Sequence, residues 1–230
     1  MTSVAARKMS PPPDPAADAA DHTRERILDA AVALFAAHGY EGTAVRAIVQ
    51  RAGANLNSVN YYFGGKLGLF RAAMQRELGR AASYTAHLPK PNPNGPLATR
   101  LEALVLRLLT LFVSTHSRLP RLAALEVVNP SGAFDATGID VHGAERDELR
   151  DIVREVQGEA ADEACIERGV RSVLAQCVYF MFMGDALQRA GSPVFANAQA
   201  VRDLAADITV FSLAGLRAQA THGRKSHKTK

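Results

Sequence analysis

The chain has 230 residues, of which 47% are hydrophobic and 22% charged, and its formal net charge is +4. This length suits one large domain or two modest ones, and the apolar fraction is ample for a packed core. No apolar run is long enough to span a bilayer, and the first residues lack the apolar segment of a secretory signal. We therefore expect neither a membrane protein nor a secreted one.

The sequence also argues against a metal site or a catalytic site. Cys165 and Cys177 lie twelve residues apart in one predicted helix. At about 1.5 Å of rise per residue they are roughly 18 Å apart, too far for a disulfide, and a reduced cytoplasm is the expected compartment. The seven histidines are scattered, and no CxxC pair, glycine-rich phosphate loop or GxSxG motif occurs. We predict no metal, no cofactor and no enzymatic activity.

The first helix is predicted to begin near residue 22. Residues 1–21 are rich in Pro and Ala and poor in large apolar residues, a composition that predicts disorder. From residue 22 to Gly39, apolar side chains recur at helical spacing, at Ile27, Ala30, Ala31, Leu34 and Phe35.

Residues 43–66 are predicted to form two short helices joined by a tight turn at Gly53. Thr43 and Asn55 can cap the two helices, because their side-chain oxygens can accept bonds from free backbone N–H groups. On the second helix the inward positions, spaced i, i+3 and i+7, are Leu56, Val59 and Phe63. The opposite side is rich in hydrogen-bonding groups but uncharged, with Asn57, Ser58, Asn60, Tyr61 and Tyr62. Such a face suits a helix in the major groove of DNA.

The rest of the chain is also predicted to be helical. A longer helix runs from Lys66 to about residue 84, and the proline-rich residues 87–96 form a linker. Further helices are expected at residues 97–117, 119–128, 145–156, 160–190 and 197–219, with one helical turn at 133–136. No stretch alternates at period two, so we read no sheet. We predict an all-α protein of about nine helices, with a three-helix head and connecting helix (residues 22–86, "the head"), a larger body (97–220, "the body") and a basic, disordered tail (221–230).

Positive charge is concentrated in the head and the tail. The head has eight basic residues against four acidic ones, whereas residues 81–220 have thirteen against sixteen, and the tail adds four basic residues and no acid. Neutralisation of phosphates drives non-specific affinity for DNA, so this distribution favours a nucleic-acid partner.

A cluster of large side chains in the body is a candidate ligand pocket. Residues 179–183 read YFMFM. Because consecutive residues point all around a helix, part of this run must instead face the core or a partner subunit. The pocket candidates are Tyr179, Phe180, Met183, Phe112, His116 and Phe134. A lone histidine on an apolar helix, such as His116, is more often a hydrogen-bonded core residue.

Residues 23–70 carry a specific combination of motifs. They read TRERILDAAVALFAAHGYEGTAVRAIVQRAGANLNSVNYYFGGKLGLF, in which AxxLFxxxGY, GTxVRxI, RAG and YYFxxK occur at fixed spacing. This stretch resembles the DNA-binding head of the TetR family of bacterial transcriptional regulators. NxNSVNYYFGGK, EVVNPSGAFD and AQCVYF look most like the CecR-type branch. Leu67 and Leu125 depart from that pattern, since an acid and an arginine are usual at these positions.

The resemblance implies a set of DNA contacts. Carried over position by position, Asn57, Ser58 and Asn60 would read bases. Tyr61 and Tyr62 would make mixed base and phosphate contacts, Lys66 would bind a phosphate, and Thr43 and Arg46 would meet backbone or bases at the start of the first motif helix. The chemistry agrees, because Asn can pair bidentately with adenine and Arg with guanine.

The resemblance also implies a homodimeric repressor that binds a palindromic operator and is released by a small-molecule effector bound in the body. The dimer would form when the last two helices pack as a four-helix bundle. Candidate interface residues are Cys177, Met181, Leu204, Ile208 and Phe211. The alternative is a helical DNA-binding protein without a small-molecule ligand, which acts as an architectural factor or under the control of a protein partner.

Overall fold

A computed structural model describes residues 15–113, 118–138, 143–158 and 161–226. Over these ranges the chain forms ten α-helices and one short 3₁₀ helix at Pro193–Phe195, and it contains no strand. The all-α prediction is confirmed, and the additional helix is the short α7. The helices are α1 (Pro15–His38), α2 (Val45–Ala52), α3 (Asn57–Phe63), α4 (Lys66–Thr85), α5 (Leu97–Val113), α6 (Leu119–Val128), α7 (Ala133–Thr137), α8 (Gly143–Gln157), α9 (Glu163–Arg189) and α10 (Ala198–Ser226).

The first and last helices are longer than predicted. Helix α1 begins at Pro15, so the prediction of disorder is wrong for residues 15–21, whereas residues 1–14 lie outside the described part of the chain. Proline fits the first turn of a helix, and the alanines that follow are strong helix formers. Helix α10 continues to Ser226, because a single glycine such as Gly223 costs only about 1 kcal/mol inside a helix. The rest of the predicted tail, residues 227–230, is outside the described residues.

The head is held together by an aromatic and aliphatic core between α1 and α4. Phe35 and Phe70 are buried, with ring centroids 5.0 Å apart in an edge-to-face arrangement, and Tyr40 packs against both rings. Ile48 of α2 and Val59 of α3 complete this core. The two short helices are therefore anchored by one inner face each, which leaves their other faces free.

Helices α6 and α7 belong to the head's core although they follow the linker. Leu119 and Leu122 of α6 and Ala133 of α7 are buried in the same cluster as the residues of α1 to α4. Two hydrogen bonds reinforce this contact: the fully buried carboxylate of Glu77 accepts the Arg118 backbone N–H at 2.5 Å, and Arg71 donates to the carbonyl of Ala136 at 3.0 Å. The packing boundary therefore does not coincide with the linker at residues 87–96.

The body has a second core, formed by α5, α8, α9 and α10. Leu101, Leu104, Val105 and Leu109 bury the inner face of α5 against these helices. The nearly buried Arg100 pairs with Glu148 and Glu155 of α8, which satisfies its charge. None of the helices in the described ranges is both long enough and apolar enough to cross a bilayer.

Candidate nucleic-acid interface and body cavity

The turn between α2 and α3 is built by Gly53 and Asn55. Gly53 has φ of +61° and ends α2, a left-handed conformation that glycine adopts without steric cost. The Asn55 side-chain oxygen accepts the Asn57 backbone N–H at 3.0 Å and so braces the turn, but the N-cap position of α3 is Leu56, one residue later than predicted. These two residues set the angle at which α3 leaves α2.

Helix α3 presents a polar face to solvent. Val59 is buried and fixes the inner side, whereas Asn57 and Asn60 are exposed and Tyr61 is 82% exposed. Ser58 and Tyr62 are half-buried, and the rings of Tyr61 and Tyr62 meet edge to face at 4.9 Å. The predicted base-reading side chains of α3 thus lie together on one helix of seven residues.

Leu56 does not point inward as predicted. It is 49% exposed and precedes the first residue of α3. The spacing rule of a helix does not apply to a residue outside it. Helix α3 is anchored by Val59 and, in part, by Tyr62 and Phe63.

Thr43 also departs from prediction. Its side chain is 2% exposed and its hydroxyl donates to the carbonyl of Gly39 at 2.7 Å, so it fastens the end of α1 to the start of α2. No side chain caps α2, whose preceding residue is Ala44. The capping role predicted for Thr43 is therefore wrong, and its DNA contact stays a prediction for a residue whose side chain is buried. Arg46, one turn further on, is exposed.

Lys66 is the first residue of α4 and follows the end of α3 after two glycines. Its ammonium lies 4.3 Å from the centroid of the Tyr40 ring, a cation–π contact that restrains a half-buried, flexible side chain. Burial, with a smaller effect of the Glu41 charge, raises the pKa of Tyr40, so the phenol stays neutral at pH 7. A neutral phenol does not compensate the positive charge of Lys66, so the ammonium can still pair with an external anion.

A cavity of about 680 Å³ lies among α5, α6, α7, α8 and α9. Its apolar lining comprises Phe112, Ala123, Val127, Pro130, Phe134, Val178, Met181 and Phe182, and its charged lining comprises Glu126, Asp135 and Arg146. Glu126 is held by the Ser131 hydroxyl at 2.7 Å. Arg146 has no ion-pair or hydrogen-bond partner among the described side chains. The volume and mixed lining suit an amphipathic small molecule.

The predicted pocket residues separate into two groups. Phe112 and Phe134 line this cavity, whereas Tyr179, Phe180 and Met183 do not, and His116 lies outside the described residues. Helix α9 contributes Val178, Met181 and Phe182 instead, at the i, i+3 and i+4 positions of one face. Val178 and Arg146 were not indicated by the sequence, and Phe182 was indicated only as part of the 179–183 run. The YFMFM run is apolar on every side, so it gave no signal for which face points inward.

The predicted dimer residues differ widely in exposure. Cys177 and Ile208 are buried in the body's own core, Leu204 packs partly against it and Met181 lines the cavity. Burial raises the pKa of the Cys177 thiol to about 12, so it stays protonated. Cys177 and Ile208 are therefore covered by their own chain, because an apolar helix first buries its own inner stripe, whereas Met181 and Leu204 stay predictions. Phe211 fits best, being 71% exposed, and it is accompanied by exposed Val210, Tyr179 and Met183.

Over the described residues, no three His, Cys, Asp or Glu side chains come close enough together to hold a metal ion.

Residues 27–73 match the family described as bacterial regulatory proteins, tetR family. Residues 97–216, about half of the 230, match the C-terminal domain of the HTH-type transcriptional dual regulator CecR. The chain is a helix-turn-helix regulator and belongs to the TetR family of bacterial transcriptional regulators. Its body is of the CecR type.

Individual relatives agree with this assignment. The HTH-type transcriptional repressor KstR of Rhodococcus jostii is 36% identical over 80 residues, which cover 35% of this chain and 38% of that protein. The HTH-type transcriptional repressor AcnR of Corynebacterium diphtheriae is 34% identical over 89 residues, 34% of this chain and 47% of that one. The matched region thus spans less than half the length of either relative. The fatty acid degradation regulator FadR of Bacillus halodurans shares the fold, with a TM-score of 0.58 at 18% identity over 85% of this chain and 96% of that one.

Proposed function

We propose that this protein is a cytoplasmic, nucleoid-associated repressor that binds a palindromic operator as a homodimer and is released by a small-molecule effector. Residues 22–86 would form the DNA-binding domain and residues 97–220 the ligand-binding and dimerisation domain. The observation that carries the proposal is the exposed, uncharged and hydrogen-bonding face of α3, held on a rigid head in a chain of the TetR family.

The residues of that face suit direct readout of bases. Exposed Asn57 and Asn60 can each pair bidentately with adenine, and Arg46 at the start of α2 can reach guanine. Ser58, Tyr61 and Tyr62 supply hydroxyls for phosphate or base contacts, and Lys66 supplies a phosphate contact at the start of α4. Base contacts would give sequence preference, and phosphate contacts would fix the position of the head on the duplex.

The exposed apolar residues of α9 and α10 support a homodimer. Val210, Phe211, Tyr179 and Met183 are all exposed on these two helices. Contiguous exposed apolar surface is uncommon on soluble monomers and marks interaction sites. A twofold dimer made through this surface would present two copies of α3 and so requires a palindromic site.

The body cavity supports release by an effector with an apolar part and an acidic group. Its aromatic and aliphatic lining suits the apolar part, and Arg146, without a partner among the described residues, suits a carboxylate. The same α6 and α7 that line the cavity bond to α4 through Arg118 and Ala136. Release requires that the effector bind the DNA-incompetent state more tightly than the DNA-binding state.

Genome-wide mapping of the DNA bound by the tagged full-length protein tests the proposal. We expect sites that share one palindrome. Asn60→Ala should weaken its preference at one base pair of each half-site, and Arg171→Ala, a change on α9 at a side chain that is 78% exposed, should leave it unchanged. Bound sites without a common motif would contradict a sequence-specific operator.

A thermal-shift screen of amphipathic carboxylates tests the effector, because a ligand specific for the native state raises the melting temperature. A hit should also release the mapped operator in a gel-shift assay. If no carboxylate shifts the wild type, an architectural or partner-controlled DNA-binding protein becomes the better reading.

A further inference from the structure

We propose that a groove where the head meets α6 binds a small phosphate-bearing anion. The groove has a volume of about 500 Å³ and is lined by the arginines Arg26, Arg51, Arg80 and Arg118, together with Asp29 and three alanines. None of these residues lines the body cavity or belongs to the proposed DNA contacts. The proposal therefore stands independently of the effector.

The groove has an excess of positive charge that no carboxylate among the described residues neutralises. Its one carboxylate, Asp29, is already bonded to Arg76 at 2.9 Å and lies 3.9 Å from Arg80. Arg80 also pairs with the buried Glu77 at 2.9 Å. By contrast, Arg26, Arg51 and Arg118 have no carboxylate partner in the described ranges. Three unneutralised guanidinium groups around one groove favour an anion of more than one charge.

The side chains and the groove floor suit phosphate in particular. A guanidinium group offers parallel N–H donors whose spacing matches two phosphate oxygens, and such charge-assisted bonds are among the strong ones. The floor is formed by Ala30, Ala33 and Ala52, which are too small to block an approaching anion. The volume exceeds that of a single phosphate, so it leaves room for a phosphate ester or a diphosphate.

The position of the groove argues against DNA as its occupant. Arg51 is in the last turn of α2, five residues after Arg46, so it lies about 7.5 Å further along the helix from the end where α2 meets the proposed DNA face. Arg118 directly precedes α6, and Glu77 of α4 holds its backbone N–H. The groove therefore joins the head to α6.

An anion in this groove would bridge α1 and α2 to the start of α6, through Arg26, Arg51 and Arg118. Such a bridge would restrict movement of the head relative to α6, so anion binding and the position of the head would be linked.

Titration of pyrophosphate into the purified full-length protein tests the proposal, with inorganic phosphate in parallel and ionic strength matched by chloride. We expect pyrophosphate to raise the melting temperature and to give a binding isotherm for the wild type. Arg51→Gln and Arg118→Gln should each weaken binding about tenfold or more, whereas Arg171→Gln should bind as the wild type does. Far-ultraviolet circular dichroism would verify that each variant is folded, and Arg51→Ala provides a second variant at the same position.

Two results would overturn the proposal. One is a wild type that pyrophosphate stabilises no more than chloride does, or variants that bind it as tightly as the wild type. The other result concerns DNA. Pyrophosphate would fail to bind, and Arg51→Gln and Arg118→Gln would each reduce the salt dependence of DNA binding by about one phosphate. The groove would then contact the DNA backbone.

Discussion

The head and the body differ in where they leave apolar side chains exposed. Most large apolar residues of α1, α2 and α4 in the head are buried, and the exposed ones, Leu56, Tyr61 and Leu67, are on α3 or within a few residues of its ends. The body instead exposes Val210, Phe211 and Tyr179 on two neighbouring helices and contains the cavity of about 680 Å³. The difference agrees with the proposal that the body, and not the head, binds a second subunit and a ligand.

The largest change in stability is expected from a substitution in the head's core. Phe35 is fully buried and packs edge to face on Phe70. Phe35→Ala should lower the free energy of unfolding by about 3–5 kcal/mol, because it removes buried surface and leaves a cavity. Urea denaturation followed by circular dichroism measures this loss, and Phe35→Leu should cost clearly less. A loss below about 1 kcal/mol for the alanine variant would show that the head is less tightly packed than described.

The next test concerns the exposed side of α10. Phe211→Asp should convert the proposed dimer to monomers, because it puts an unpaired charge into an apolar interface, and a central aromatic residue commonly contributes about 2 kcal/mol or more to association. Sedimentation velocity measures the change, with Arg202→Asp as the matched control, an exposed position about 180° around the same helix from Phe211. A dimer that persists in the folded Phe211→Asp variant would move the interface to another surface.

A smaller effect on binding is expected from a substitution on α3. Asn60→Ala should reduce discrimination between operator variants by about 1–3 kcal/mol at one base pair. Fluorescence anisotropy with a set of operator variants measures this value, and Gln75→Ala on the exposed side of α4 serves as the control. An equal loss of affinity for operator and random DNA would count against base reading by Asn60.

The smallest effect is expected at Lys66. Lys66→Ala should weaken binding to all sequences alike and reduce the salt dependence of binding by about one phosphate. Titrations at several salt concentrations measure the slope, with Lys90→Ala in the exposed linker as the control. An unchanged slope would mean that the Lys66 ammonium, which lies over Tyr40, stabilises the head instead of contacting DNA.

The head could be predicted well because its apolar residues recur on one face only. Gly53 was recognised from local backbone chemistry and has the predicted role, whereas Asn55 braces the turn one residue before the N-cap position of α3. The errors in the head, at Thr43 and Leu56, occur where a helix begins. A shift of one residue there makes Thr43 a buried side chain instead of a cap, and it makes Leu56 exposed instead of inward-facing.

The body was less predictable because α9 and α10 are apolar on several faces. The spacing of apolar residues then does not indicate which face of the helix points inward. Buried Cys177 and Ile208 therefore could not be distinguished from exposed Val210 and Phe211. The cavity depends on how five helices pack together, and its Arg146 is separated from Phe182 by 36 positions. Sequence spacing within a single helix does not indicate which residues of other helices lie nearby.

Helix α6 takes part in both halves of the molecule. Leu119 and Leu122 are buried in the head's core, while Ala123, Glu126 and Val127 of the same ten-residue helix line the cavity. Because one short rigid element is shared, an occupied cavity should alter how often the head opens locally. We therefore expect ligand binding in the body to change hydrogen-exchange protection of backbone amides in α1 and α4, which do not line the cavity.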